Sequence, residues 1–195
     1  DLKLCLSIFF ANSFFQLIRC GNVVFPKKGS HRERATLKAI NRVRFGFSTQ
    51  ITIEPGISAI QAAAAKAGAP IGHDFCAISL SDLLTPWDQI EGRINAAGKG
   101  DFVIGFYNPV SKRRYVQLEA AKKILLGYRP RDTPVILARN IGRAEEKITF
   151  VKLEDLKSEM ADMLTIVIIG NSQSCLIEYG GCFRVYTPRG YANKA

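Results

Sequence analysis

Three stretches of this sequence run from apolar residues directly into residues that hydrogen-bond or carry charge. Residues 102–107 lead into Asn108-Pro109-Val110-Ser111-Lys112-Arg113-Arg114, residues 135–138 into Arg139-Asn140-Ile141-Gly142-Arg143, and residues 165–170 into Asn171-Ser172. In open α/β sheets ligands bind outside the carboxyl ends of the strands, so three such ends describe a crevice rich in amide, guanidinium and hydroxyl groups. Lys112, Arg113 and Arg114 fall in the first turn of an expected helix, where the macrodipole disfavours each cation by about 0.3–1 kcal/mol. Either a bound carboxylate or phosphate compensates, or the acids of a neighbouring element do. Glu54-Pro55-Gly56-Ile57-Ser58-Ala59 opens a helix with small residues, which lets a ligand approach the backbone or simply makes a strand-to-helix turn. His73 and Asp74 offer an acid/base pair, but adjacent strand residues point to opposite faces, which favours a structural role. Ser79-Leu80-Ser81-Asp82 reads equally as a substrate contact or as turn chemistry.

The elements that must position these residues are regular from Ile51 onward. A short strand at 51–53 precedes a turn, and Ser58 caps an alanine-rich helix that closes at Gly68 and Pro70. A strand follows at 75–80. Thr85 then gives an N-cap and Pro86 a first helical residue for a helix ending near Gly98. The strand at 102–107 leads into a helix over 112–126, where Val116, Ala120 and Ile124 form a stripe and Gly127 a stop. Strands at 135–139 and 147–151, a short helix at 153–160, and strands at 164–170 and 182–186 complete the order. Strands alternating with helices imply a mixed or mainly parallel sheet with helices on its faces.

The first fifty residues read differently. They hold an apolar run at 4–18, a basic segment at 27–34 and a candidate amphipathic helix at 32–40. The apolar run has the length of a signal-peptide core, with Lys3 ahead of it and Arg19 behind; the alternatives are a buried strand or helix of a first domain, a leader, or a corrupted terminus. It is too short to span a membrane comfortably. Across the 195 residues, 47% are hydrophobic and 23% charged, an ordinary globular balance sufficient for one large or two small domains. The formal net charge of +10 favours an anionic partner: nucleic acid, a membrane surface or a polyacidic small molecule. Five cysteines without a C-x-x-C pair, and only two histidines, argue against a zinc site or disulfide framework and fit a reducing cytosol.

Taken together, Pro55-Gly56-Ile57-Ser58-Ala59, Gly72-His73-Asp74, the string at 78–87, Tyr107-Asn108-Pro109-Val110-Ser111-Lys112-Arg113-Arg114, Arg139-Asn140-Ile141-Gly142-Arg143, Asp162-Met163-Leu164-Thr165, Ile169-Gly170-Asn171-Ser172 and Thr187-Pro188-Arg189-Gly190-Tyr191 closely resemble a known family. These strings resemble the tetrapyrrole (corrin/porphyrin) methylases of cobalamin synthesis, and among them the precorrin-3B C17-methyltransferases. The resemblance covers about residues 51–191. It implies an α/β fold of two domains with S-adenosylmethionine in the cleft between them, usually as a cytoplasmic homodimer without nucleic acid, membrane or metal. Ser58 and Ala59 of the first domain would line the cofactor, with Tyr107, Asn108, Arg139, Asn140, Leu164 and Thr165 closing over it from the second. The third cofactor contact thereby moves from Asn171 to the start of its strand. The implied reaction methylates C17 of precorrin-3B, or its cobalt-bearing counterpart, and contracts the ring. That many-carboxylate substrate would meet Lys112, Arg113, Arg114, Arg143 and Arg189. Ring contraction calls for proton transfers, for which Asp74, His73, Asp82 and Arg139 are candidates.

The sequence departs from the family's pattern where a Gly-Pro-Gly-Asp-type loop and a Ser-Gly-Asp-Pro-Gly-x-Tyr-type loop belong. The expected organisation is therefore a remnant of the N-terminal domain at 1–70, unmatched over 1–50, followed by the C-terminal domain at 71–195. A first domain so truncated, deleted or frameshifted would bind S-adenosylmethionine weakly and be impaired in turnover. The alternative is a non-catalytic tetrapyrrole-binding or dimerisation module.

Overall fold

The computed structural model describes residues 17–20, 51–54, 56–111 and 115–190. The apolar run at 4–18 (Leu17 and Ile18 excepted), the basic segment at 27–34, the candidate helix at 32–40, Lys112, Arg113, Arg114 and Tyr191 lie outside the described residues.

The chain divides between Gly56 and Ile57. Ahead of the break, β1 (Leu17–Cys20) pairs antiparallel with β2 (Ile51–Glu54), Leu17 opposite Glu54 and Cys20 opposite Ile51. Helix α1 (Ala59–Ala67) packs against strands that come after it in the chain, so the second unit begins ahead of the boundary at residue 70 expected from the sequence.

In that second unit β3 (Gly68–Ala69), β4 (Phe75–Ser79), α2 (Trp87–Lys99), β5 (Val103–Tyr107), α3 (Val116–Leu125), β6 (Pro134–Arg139), β7 (Lys147–Lys152), β8 (Thr165–Ile169), β9 (Cys175–Tyr179) and β10 (Cys182–Tyr186) come in order. The main sheet runs β4-β5-β8-β6-β7. Only β4 and β5 are neighbours in parallel; β8 lies antiparallel between β5 and β6, and β7 is antiparallel to β6. The sheet is thus mixed, with helices on both faces, as the alternation of elements implied.

Period-two side-chain alternation divides the two cores. Val103, Ile136, Ala138, Ile166 and Ile168 face α1, which offers Ile60, Ala63, Ala64 and Ala67. Ile104, Phe106, Val135, Leu137, Val167 and Ile169 face α2 and α3 through Ile90, Ile94, Leu118, Ala121 and Leu125. Three central strands buried on both faces read in the sequence as unbroken apolar runs for this reason. The alanines of α1 let it lie close to the sheet. An ideal Cβ at Gly105 would stand 2.2 Å from Ile60 Cδ1, so any larger residue there would force Ile60 or the helix to shift.

Several expected boundaries differ. Pro86 rather than Thr85 occupies the N-cap position of α2, and no side chain caps it. Helix α3 begins at Val116, and the helix expected at 153–160 is two 3-10 turns, Leu153–Asp155 and Ser158–Met160. The β9–β10 hairpin turns through Gly180 and Gly181, both at positive φ (59° and 73°), the backbone a two-residue type I′ connection needs. At the far end of the main sheet, buried Arg129 donates to the carbonyls of Phe102 and Gly170 and so ties the start of β5 to the end of β8. Among the described residues no helix is long and apolar enough to cross a membrane.

Candidate functional site

Because β8 is antiparallel to β5 and β6, its first residue lies beside their last ones. Arg139 stands opposite Thr165, and Phe106 opposite Val167, which sets Tyr107, Thr165 and Arg139 along one end of the sheet. The Asn140 amide donates to the Leu164 carbonyl at 3.1 Å, closing the ledge. The N-terminus of α1 meets the same end, where the Ile60 N–H donates to the Tyr107 hydroxyl at 3.1 Å.

That helix end is built as the sequence predicts. The Ser58 hydroxyl accepts from Gln61 N, and the Gln61 side chain accepts in return from Ser58 N, a reciprocal capping box. The box fixes Ser58 and Ala59 beside Tyr107. On the other side, Asn108 adopts φ 50° and donates its side-chain amide to Ser79 Oγ at 3.1 Å, and the Leu80 amide donates to the Tyr107 carbonyl. Asn140 adopts φ 53°, and its carbonyl accepts from the Arg143 amide. Left-handed backbone is tolerated by asparagine better than by most residues, and it turns each chain sharply away from the sheet end.

A carboxylate without an expected role anchors this ledge. Asp162 accepts from Arg139 Nε at 2.7 Å through one oxygen, and from Thr165 Oγ1 at 2.6 Å and Leu164 N at 2.9 Å through the other. Burial alone would push its carboxyl up, but hydrogen bonds from Thr165, Arg139 and Leu164 outweigh that and hold it below the ordinary value. The Arg139 guanidinium is raised in turn, first by its hydrogen bond to Asp162. The signal was legible as an aspartate three residues before a threonine, the spacing of a reciprocal side-chain turn. A second carboxylate, Glu146, accepts from Gly142 N and from Lys66 Nζ, both at 2.7 Å, tying the loop after β6 to the last turn of α1.

The residues expected to bind cofactor thus come together: Ser58, Ala59, Tyr107, Asn108, Arg139, Asn140, Leu164 and Thr165 share one sheet end. The other candidates divide between this end and the opposite one. Since β4 is parallel to β5, His73 and Asp74 precede it at the opposite end, where the Asp74 carbonyl accepts from Val103 N. The Asp74 amide donates to His73 Nδ1 at 2.7 Å; the Asp74 side chain is exposed and that of His73 partly so. Arg189 lies with them, donating to the Gly72 carbonyl at 2.6 Å, whereas Arg143 lies beside Asn140 at the ledge. Asp82 comes after β4 on the ledge side and accepts from Gln117 Nε2 at 2.8 Å. The turn at Asn171 and Ser172, expected from residue chemistry as a third strand end of the crevice, sits at the far end because its strand runs the other way. There Ser172 donates to Asp101.

Comparison with known proteins finds relatives over about three quarters of this chain. Residues 32–157 match the family described as Tetrapyrrole (Corrin/Porphyrin) Methylases. The chain is 47% identical over 146 residues to a precorrin-3B C(17)-methyltransferase of Sinorhizobium sp, covering 74% of this chain and 58% of that protein. It is 45% identical over 145 residues to a probable cobalt-factor III C(17)-methyltransferase of Salmonella typhimurium, again 74% of this chain and 58% of the relative. The crystal structure of the methyltransferase CobJ superposes with a TM-score of 0.69 at 42% identity, covering 80% of this chain and 63% of that one. The chain therefore spans less than two thirds of the length of these relatives.

Proposed function

Because this chain belongs to the tetrapyrrole (corrin/porphyrin) methylases, we propose that it takes part in methyl transfer from S-adenosylmethionine to C17 of precorrin-3B or its cobalt-bearing counterpart, in cobalamin biosynthesis. The observation that carries the reading is the convergence of four separate sequence segments, at 58–59, 107–108, 139–140 and 164–165, on one end of the sheet.

The donor set suits a nucleoside bearing an amino acid. Among the described residues, the terminal nitrogens of Arg139 and the side-chain amide of Asn140 have no hydrogen-bond partner, while Leu164 offers exposed apolar surface beside them. When bound, S-adenosylmethionine supplies an already activated methyl group. The chain's own work is alignment of the two reactants, which can account for much of the rate. Ser58, Ala59 and Tyr107 would hold one side of the cofactor; Asn108, Arg139, Asn140, Leu164 and Thr165 the other. Arg143, with Lys112, Arg113 and Arg114 of the segment after β5, would receive the acidic side chains of the macrocycle. Asp82 is the acid/base candidate on the ledge side, whereas His73, Asp74 and Arg189 at the far sheet end would serve the reaction only through a second surface. A homodimer in the cytoplasm completes the proposal.

Calorimetry with S-adenosylhomocysteine, followed by a mass-spectrometric assay for methylated product from precorrin-3B and from its cobalt form, tests this reading. Binding together with product is expected. A chain that binds no S-adenosyl compound would refute it.

A further inference from the structure

Resting on the methyltransferase reading, we propose that Arg139, held by Asp162, is the receptor for a ligand carboxylate, and that Asp162 is a positioning residue acting through it. The geometry distinguishes this pair from an ordinary surface ion pair. Asp162 engages Arg139 at Nε alone, while its other oxygen is locked by Thr165 and Leu164. The aspartate is thus fixed by the strand start, and the guanidinium is fixed by the aspartate. Its two terminal nitrogens, the pair whose fork matches a carboxylate, have no partner among the described residues.

Charge around the fork has the right sign. Arg139 and Lys147 face each other directly across the β6–β7 pair, an arrangement of like charges that is unfavourable unless anions neutralise it. Asp162 offsets one of these cations. Glu145 lies within Coulombic reach of Arg139, Glu146 is committed to Lys66 and Gly142, and Arg143 adds a further cation on the same loop. A carboxylate on the fork balances the remainder. Two ligands of the proposed reaction carry one: the amino-acid portion of S-adenosylmethionine and the acidic side chains of the tetrapyrrole. Both present the same chemistry to the fork, and three soluble probes separate them.

The test measures dissociation constants of S-adenosylhomocysteine, 5′-methylthioadenosine and uroporphyrin III for the whole chain and for Asp162→Asn, Arg139→Met and the double variant. 5′-Methylthioadenosine lacks the amino-acid carboxylate. Asparagine at 162 keeps an oxygen for Leu164 N and Thr165 Oγ1 but turns a donor towards Arg139 Nε, and melting curves verify that each variant folds. Each single variant is expected to bind S-adenosylhomocysteine about tenfold more weakly, as for a lost charge-assisted bond, with 5′-methylthioadenosine within about twofold of wild type. The double variant should equal Arg139→Met alone, since Asp162 acts through Arg139. A loss confined to uroporphyrin III assigns the carboxylate to the macrocycle and upholds the proposal. Equal losses for both adenosine compounds, no loss for any probe, or a further loss in the double variant would overturn it. A wild-type chain that binds none of the three instead overturns the functional reading itself, and this proposal with it.

Discussion

Asn108 and Asn140 end β5 and β6 in the same left-handed conformation, at φ 50° and 53°, yet their side chains do different things. The Asn108 amide is committed to Ser79 Oγ and so fastens the β4–β5 pair. The Asn140 side-chain amide has no hydrogen-bond partner among the described residues, while its backbone is held by Leu164 and Arg143. A side chain that makes no hydrogen bond, in a conformation glycine adopts more readily, adds little to folding alone. Asn140→Gly is therefore expected to leave stability within about 1 kcal/mol of wild type, in either direction, while weakening S-adenosylhomocysteine binding severalfold. Thermal melting and calorimetry on the same samples check this. Lost stability with unchanged binding would make the amide structural. The sequence showed Asn140 at a strand end but not that its amide is unengaged, since that depends on where β8 lies.

At the scale of elements, the ledge exists because α1 sits hard against β5. Gly105 carries that contact: a methyl group there would lie 2.2 Å from Ile60 Cδ1 and 3.0 Å from its Cγ1. Either Ile60 leaves its rotamer or the helix lifts, and lifting would break the bond from Ile60 N to the Tyr107 hydroxyl. Gly105→Ala is expected to cost about 1–3 kcal/mol in urea unfolding, the usual scale of overpacking, and to weaken cofactor binding. Adding Ile60→Val, which removes Cδ1, should restore part of both; failure to restore either would mean that the contact does not set the helix. The elements themselves were largely legible. The doubly buried strands β5, β6 and β8 announce themselves as apolar runs, and Ser58 announces α1. Strand β9 is hidden in the sequence because all five of its residues are exposed and no burial alternation marks it, although Gly180 and Gly181 after it signal a hairpin. Strand direction is the harder quantity. Periodicity shows that 165–169 is a strand but not which way it runs, so residue chemistry alone places Asn171 in the crevice, and only the family resemblance points to Leu164 and Thr165. The same blindness groups His73 and Asp74 with residues a full strand length away.

For the whole molecule the informative quantity is the net charge of +10 on 195 residues. Charge of that size steers anions from a distance, and it acts on a polycarboxylate far more than on S-adenosylhomocysteine, whose amino acid is a zwitterion. The two kinds of ligand should therefore respond differently to salt. Raising ionic strength from about 0.05 to about 0.5 M shortens the Debye length from more than 10 Å to less than 5 Å and screens exposed cations such as Arg143 from their anions. Uroporphyrin III affinity is expected to fall about tenfold or more across that range, by analogy with other multiply charged ligands, while S-adenosylhomocysteine affinity changes by about twofold or less. Fluorescence quenching and calorimetry across a salt series measure the two slopes. Nucleic acid would show a steep slope as well, so a short single-stranded DNA belongs in the same series: binding lost by about 0.15 M salt marks simple charge attraction, whereas a macrocycle seated against the ledge retains a salt-resistant part from its apolar contacts. Should uroporphyrin III lose all affinity along with the DNA, the positive charge would be a general anion attractor, and its link to a tetrapyrrole site would fail.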